Sequence, residues 1–281
     1  MTQLAAPRKT GAGRDLPAAV TVGLVLLGAV GASLFIRKEA FAVLAVLAVG
    51  AAMWELAQAF TRRTVHLPLV PLVVGAAGIM VSAYVAGTEA LFVAFLLTVG
   101  GCVVWRVLVG SGEAALRDAS AATFAAAYLP FLGGFVMLLL AEPDGPARVA
   151  LFILLAVACD TGGFFVGTLL GRHPLAPSVS PKKSWEGLFG SLVLTSVVGV
   201  VGVQALFQGE PLVGALLGLG TVASATLGDL AESMVKRDLE LKDMGRVLPG
   251  HGGVLDRLDS LLLTAPTVWV LLTVLQPPAG G

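Results

Sequence analysis

Apolar residues dominate this chain in long unbroken runs, and polar residues collect in the connections between them. A membrane-spanning helix needs roughly 20 mainly apolar residues, and nine stretches of the sequence have that character. We therefore predict an all-α integral membrane protein, because lipid leaves a backbone no partner except its own helix. The nine predicted spans are residues 16–36, 40–60, 66–86, 89–109, 120–141, 149–170, 187–207, 211–231 and 258–276.

The connections divide the chain into unequal parts. A short polar segment, residues 1–15, precedes the first span, and residues 16–141 hold five spans joined by short connections. Residues 149–276 hold the other four, together with two long polar connections at 172–186 and 232–257. Long connections between closely spaced elements tend to carry function. We therefore expect the chemistry in the second half of the chain.

Composition supports a membrane protein. Hydrophobic residues make up 57% of the chain and charged residues only 13%, about half the share of charge in soluble domains. The mean hydropathy is +0.91, and a soluble fold of this length could not hide so much apolar surface. The formal net charge is zero, and we expect no nucleic-acid partner.

The distribution of basic residues predicts the orientation of the nine spans. Of the 18 lysines and arginines, all but Arg37, Lys38 and Arg148 fall on the side of the N-terminus and of the two long connections. Basic residues favour the cytoplasmic side of a membrane. We therefore predict a multi-pass protein of the cell's inner (plasma) membrane, with its N-terminus and both long connections cytoplasmic.

Several carboxylic acids lie within the predicted spans, where ionisable groups are costly and often functional. Asp160 is placed deep in an apolar run and would need a cation, a metal or a watery cavity; a bond to a neighbouring helix would also satisfy it. Glu55 lies beside Trp54 near a span end, where anchoring at the membrane interface would explain both residues equally well.

The first long connection contains Ser180-Pro181-Lys182-Lys183-Ser184-Trp185-Glu186-Gly187. Two adjacent lysines with hydroxyl groups on either side can form a compact anion site. A basic cytoplasmic loop that meets anionic lipid headgroups would have the same composition. These residues alone do not separate the two interpretations.

The second long connection brings acidic and basic groups to one membrane boundary. Asp229, Glu232 and Lys236 share a helix face at its start, and a helix carrying Asp256 and Asp259 follows its end. Between them lie several cations and the turn Pro249-Gly250-His251-Gly252-Gly253. Because Mg²⁺ prefers oxygen ligands and usually binds one or two carboxylates plus substrate phosphates, we predict a hard-cation site beside phosphates. A charge-balanced loop held by salt bridges would not call for the glycine-rich turn.

The same run carries a resemblance to a known family. It reads Ser233-x-x-Lys236-Arg237-x4-Lys242-Asp243-x-Gly245-x3-Pro249-x-His251-Gly252-Gly253-x2-Asp256-Arg257-x-Asp259. This pattern resembles the signature of the phosphatidate cytidylyltransferases. Asp160-Thr161-Gly162, the segment Ser180–Gly187 and Gly228-Asp229-Leu230-x-Glu232 fit the same family. One position departs from it, because Phe164 stands where the family commonly has tyrosine.

The resemblance implies an all-helical membrane enzyme, a homodimer, with a polar cavity open to the cytoplasm and the bilayer. It implies that CTP and phosphatidic acid react to give CDP-diacylglycerol and pyrophosphate, with Mg²⁺ and a second cation, K⁺, as cofactors. The implied metal ligands are Asp229, Asp256, Asp160 and Asp259. The implied catalytic residues are Asp229, Asp256, Lys236 and Arg237. The implied substrate-binding residues are Asp160, Ser180, Lys182, Lys183, Ser184, Glu186, Lys242, Asp243, His251, Gly252, Gly253 and Arg257.

Two other functions stay open at this point. A transporter would also explain many spans and buried carboxylates, but it would be expected to show broken helices or repeated halves around a midplane site. A related CTP-dependent enzyme acting on another lipid phosphate or a polyprenol would share the same reaction centre. The signature describes that centre more fully than it describes the acyl-chain site.

Overall fold

The structure is a bundle of long helices with one small β-hairpin. The computed structural model describes Val25 and residues 28–241, 244–245 and 252–277. Residues 28–36 are helical, and two short strands, Pro174–Ala176 and Ser180–Ser184, pair antiparallel. The elements are α1 Lys38–Thr61, α2 Leu69–Val109, α3 Glu113–Ala126, a π-helical turn Ala127–Phe131, α4 Leu132–Ala141, α5 Gly145–Leu170, β1 Pro174–Ala176, β2 Ser180–Ser184, α6 Trp185–Phe207, α7 Pro211–Asp238 and α8 Leu255–Leu275.

The helices confirm the predicted class of protein. Within the described ranges, seven helical stretches are long and apolar enough to cross a membrane, with Glu113–Ala141 counted as one. Large apolar side chains such as Leu97, Leu108 and Leu169 point away from the bundle, as lipid-facing residues do. The count of nine spans stays a prediction, because the first predicted span, 16–36, is described only in part. Residues 1–15 lie outside the described residues.

The long helix α2 is a helical hairpin. Its 41 residues would extend about 60 Å if straight, twice the hydrocarbon thickness of a bilayer. The helix breaks at Gly87, which has φ 79° and ψ −161°. A Cβ added to Gly75 would lie 2.2 Å from a side-chain atom of Thr98, so residues on opposite sides of Gly87 and at similar distances from it along the chain are in contact. The two halves therefore fold back on each other, as the separate spans 66–86 and 89–109 would.

Helices α5 to α8 pack in chain order, each against the next. Glycines let two of these pairs approach to backbone contact, as small residues do in membranes. A Cβ on Gly199 would lie 2.2 Å from the Gly214 carbonyl oxygen, and a Cβ on Gly214 would lie 2.4 Å from that of Gly199. Between α5 and α6, a Cβ on Gly162 would lie 2.5 Å from the carbonyl oxygen of Gly190. These contacts fix the walls around the site described below.

Three features differ from the sequence-based expectation. Helix α3 begins at Glu113, whereas the predicted span began at residue 120. The polar connection predicted from residue 232 begins later, because α7 continues to Asp238. The charged residues in its last turns can remain helical because Glu232 and Lys236 form an i, i+4 ion pair. The connection at 172–186 contains the antiparallel pair β1–β2, in which Ala176 is opposite Ser180. No strand was predicted there.

The α6–α7 contact makes a testable claim about stability. Gly214→Ala would force a methyl group against backbone atoms of Gly199, which cannot rotate away, and overpacking of this kind costs about 1–3 kcal/mol. We expect a lower thermal unfolding temperature in detergent, measured by intrinsic fluorescence. The matched control is Gly78→Ala, since a Cβ on Gly78 would meet nothing within 4 Å. Equal unfolding temperatures for the two variants would contradict the close contact.

Candidate active site

One lysine joins the two helices that carry the acidic residues of the signature. Lys236 Nζ lies 2.5 Å from Glu232 Oε2 on α7 and 2.8 Å from Asp256 Oδ1 on α8. Both carboxylates are buried or nearly so, with side chains 4% and 8% exposed. The helices also touch beside this pair, since a Cβ on Gly228 would lie 2.7 Å from the carbonyl oxygen of Asp259. Helices α7 and α8 therefore pack side by side.

Asp256 also organises the polar connection ahead of α8. The Met244 N–H donates to Asp256 Oδ1 at 3.1 Å, and the Gly253 N–H donates to Oδ2 at 2.8 Å. Each oxygen of the Asp256 carboxylate therefore accepts a hydrogen bond from a backbone N–H group, and Oδ1 also pairs with Lys236. Gly252 turns the chain here with φ +89°, a conformation that favours glycine.

A cavity of about 350 Å³ lies between α5, the β-hairpin, α6 and α7. Across it, Lys183 of β2 forms an ion pair with Asp229 of α7. Six residues predicted from the sequence line this cavity, and Ser191 and Thr226 are polar lining residues that were not predicted. The six are Asp160, Ser180, Lys182, Lys183, Ser184 and Asp229.

Carboxylic acids from three helices converge beside the cavity. Asp160 of α5 and Asp229 of α7 line the cavity together, and the backbone of Asp259 on α8 packs against Gly228, the residue before Asp229. Among the described residues, no three metal-binding side chains are already gathered around one point. Mg²⁺ commonly takes one or two carboxylates and completes its octahedron with phosphates and water. This set of hard oxygen donors, with one Glu232 oxygen lacking a described partner, fits such an ion.

Asp229 and Asp256 do not share a partner as they stand. Asp229 pairs with Lys183, whereas Asp256 pairs with Lys236. It is Glu232, one turn beyond Asp229, that meets Asp256 through a common lysine. The two predicted metal ligands therefore lie on neighbouring helices, each with its own cation.

Other predicted residues lie at the edge of this arrangement. Glu186 Oε2 accepts the Arg172 N–H at 3.1 Å, and Glu186 Oε1 lies 2.5 Å from His173 Nδ1. Glu186 therefore holds the start of the connection in which it lies.

Arg237 Nε donates to the Val179 carbonyl at 2.5 Å and links α7 to the hairpin. Arg257 lies in the first turn of α8. Ser184 Oγ accepts the Gly187 N–H at 3.1 Å and caps α6. The predicted residues Lys242, Asp243 and His251 lie outside the described residues.

Two groups from the first half of the chain approach the signature residues. Glu55 is 2% exposed and accepts the Leu255 N–H at 2.9 Å, so interfacial anchoring does not account for it; Trp54 beside it is exposed. Tyr128, in the π-helical turn, has a buried hydroxyl with no described partner. Its neighbours include the carboxyl groups of Glu232, Asp259 and Asp229. Tyr128 carries no local motif, and only the π-helical backbone, a frequent mark of functional sites, could have drawn attention to it.

Comparison with known proteins decides the family. A model of the cytidylyltransferase family matches residues 17–275. The chain belongs to the cytidylyltransferase family. It is 41% identical over 279 residues to a protein of Mycobacterium leprae named phosphatidate cytidylyltransferase, covering 94% of this chain and 89% of the relative. A protein with the same name from Mycobacterium bovis is 38% identical, over 94% of this chain and 90% of the relative. Another, from Haemophilus influenzae, is 41% identical, over 49% of this chain and 51% of the relative.

Membership of the cytidylyltransferase family extends the resemblance beyond the signature. The quoted motifs cover only residues 160–259, whereas the family model includes α1 to α4 as well. Those helices supply Glu55 and Tyr128 to the surroundings of the signature residues. The first half is therefore structurally part of the site.

The lysine bridge predicts a contrast in stability between two neighbouring cations. Lys236→Met would leave the buried Glu232 and Asp256 carboxylates without their cation, and breaking a buried ion pair in this way costs about 3–5 kcal/mol. Arg237→Met removes an exposed guanidinium and should cost less than about 1 kcal/mol. Thermal unfolding in detergent at neutral pH measures both. A smaller loss for Lys236→Met than for Arg237→Met would show that the bridge does not hold α7 to α8.

Proposed function

We propose that this chain is a nucleotidyltransferase that joins CTP and phosphatidic acid to give CDP-diacylglycerol and pyrophosphate. The observation that carries the proposal is the meeting of Lys183, Asp229 and Asp160 in one polar cavity of a membrane protein. Relatives named phosphatidate cytidylyltransferase match 94% of the chain. A phosphate-rich nucleotide and a lipid headgroup both require such a polar site at a membrane.

The reaction is a displacement at phosphorus. A phosphate oxygen of phosphatidic acid attacks the α-phosphorus of CTP, and the bond from that phosphorus to the bridging oxygen of pyrophosphate breaks. The attacking oxygen is already anionic at neutral pH, so no strong general base is needed. We assign His251 to the geometry of its loop or to a phosphate contact for this reason.

The cations of the site bind the phosphates in this proposal. Lys182 and Lys183 approach them from the β-hairpin, and Lys236 and Arg237 from the end of α7. Lys183 then exchanges Asp229 for a phosphate, because a single ammonium group cannot neutralise both. The remaining predicted residues extend the same substrate surface; these are Ser180, Ser184, Glu186, Lys242, Asp243, Gly252, Gly253 and Arg257.

The carboxylates hold Mg²⁺ in this proposal. Asp229 and Asp256 are its ligands, Asp160 completes the metal or nucleotide site, and Asp259 supports the ligand helix. Mg²⁺ neutralises charge on phosphate oxygens when it is bound. We further propose K⁺ as a second cation, a homodimer, and an inner-membrane orientation with the cavity facing the cytoplasm.

The ligand assignment predicts loss of turnover without loss of fold. In purified protein with radiolabelled CTP, Mg²⁺ and phosphatidic acid, Asp229→Asn and Asp256→Asn should each lower the rate by at least about a hundredfold, because a neutral amide binds Mg²⁺ more weakly than a carboxylate does. Their elution and unfolding profiles should remain those of a folded protein. Glu240→Gln is the control, since Glu240 is exposed and meets only Arg63 among the described residues.

The same assay tests the reaction itself and its acceptor. Product with phosphatidic acid supports the proposal, and product only with another lipid phosphate or a polyprenyl phosphate would reassign the acceptor. If none of the acceptors yields a labelled lipid, the assignment as this enzyme is wrong. Near-normal rates for either aspartate variant would contradict the metal ligands but leave the reaction standing.

A further inference from the structure

A carboxylate from the first half of the chain caps α8. Val254 occupies the N-cap position of α8 and has no side-chain hydrogen bond. The first N–H groups of a helix need acceptors from outside it, and Glu55 Oε2 of α1 accepts the one from Leu255 at 2.9 Å. A negative charge at a helix N-terminus is also favoured by the helix dipole. Glu55 therefore performs in trans what an N-cap residue performs locally.

Glu55 also explains two glycines of the signature. A Cβ on Gly245 would lie 2.0 Å from Glu55 Oε1, and a Cβ on Gly253 would lie 2.6 Å from Oε2. Neither glycine has a positive φ, in contrast to Gly252. Their backbones could therefore accept another residue, but the carboxylate of Glu55 fills the space that its side chain would need.

The backbone segments that touch Glu55 are the ones that hold Asp256. The N–H groups of Met244 and Gly253 donate to Asp256, and Glu55 contacts Gly245 and Gly253. The polar connection is thus held between two carboxylates. A shift of Glu55 would be transmitted to Asp256 through one or two peptide units.

We propose that Glu55 is a positioning residue of the active site, which fixes the Asp256 carboxylate through Leu255, Gly245 and Gly253 without touching the substrate. This inference rests on the proposed function for its meaning in catalysis, because that function assigns Asp256 to the metal. The contacts themselves do not depend on it. Groups that orient metal ligands in this way typically change metal affinity or activity by 10–100-fold when they are lost.

The first test compares Glu55→Ala with Asp118→Ala. Asp118 matches Glu55 in burial, at 2% exposed, and in accepting a backbone N–H, that of His66 at 3.0 Å. It also forms an ion pair with Arg106 at 2.7 Å, so its loss should destabilise the fold at least as much. Both variants should unfold at lower temperature. Only Glu55→Ala should also weaken Mn²⁺ binding, measured by electron paramagnetic resonance on protein verified as folded, and lower kcat at saturating CTP, each by about tenfold. Glu55→Gln, which keeps an acceptor oxygen and the volume, should recover most of both.

The second test is a double-mutant cycle between Glu55 and Gly245. Gly245→Ala should be harmful in the native background, because its methyl group would meet the Glu55 carboxylate. In the Glu55→Ala background that space is empty, so the same change should cost little. The two single losses in unfolding temperature and in kcat should therefore not add.

These readouts separate failure of this inference from failure of the proposed function. If Glu55→Ala lowers only the unfolding temperature, with native kcat and Mn²⁺ affinity, or if the two changes simply add, the positioning role is wrong. If no acceptor lipid yields product even with the native chain, the proposed function fails. The cycle in unfolding temperature then still decides whether Glu55 holds the loop.

Discussion

The ammonium group of Lys236, placed between Glu232 and Asp256, is the interaction on which the site depends. Away from water an unpaired carboxylate is costly, so the two helices are held together wherever both acids stay ionised. That link sets the distance between α7 and α8, and Gly228 removes the side chain that would keep them apart. Because Asp229 lies on α7 and Asp259 on α8, the packing of these two helices also fixes the positions of both residues.

The sequence was informative wherever the information is local. Apolar runs located most helix ends to within a few residues, the start of α3 and the end of α7 excepted. The i, i+3 and i+7 spacing put Asp229, Glu232 and Lys236 on one face. The nine-span count and the roles of individual site residues stay predictions.

Long-range pairings were beyond the sequence. Nothing in the sequence around Glu55 indicates that its partner is the N–H of Leu255, because tertiary packing decides which helix Glu55 caps. The ion pair between Asp229 and Lys183 could not be predicted for the same reason, since Lys183 comes from a β-hairpin that no apolar alternation predicted. The end of α7 was missed because charged residues normally mark a loop, whereas here Lys236 satisfies its neighbours within the helix.

The capping of α8 by Glu55 also constrains how the protein is made. The two partners are 200 residues apart in the chain, and α1 leaves the ribosome long before Leu255 exists. Until then a carboxylate destined for burial has no helix N-terminus to receive it, and an acid in a membrane helix is expensive. Assembly of the first helices therefore cannot be completed on its own. Helix α8, which is synthesised much later than α1, completes the environment of Glu55. Until α8 is in place, this carboxylate lacks the N–H group from which it accepts its hydrogen bond.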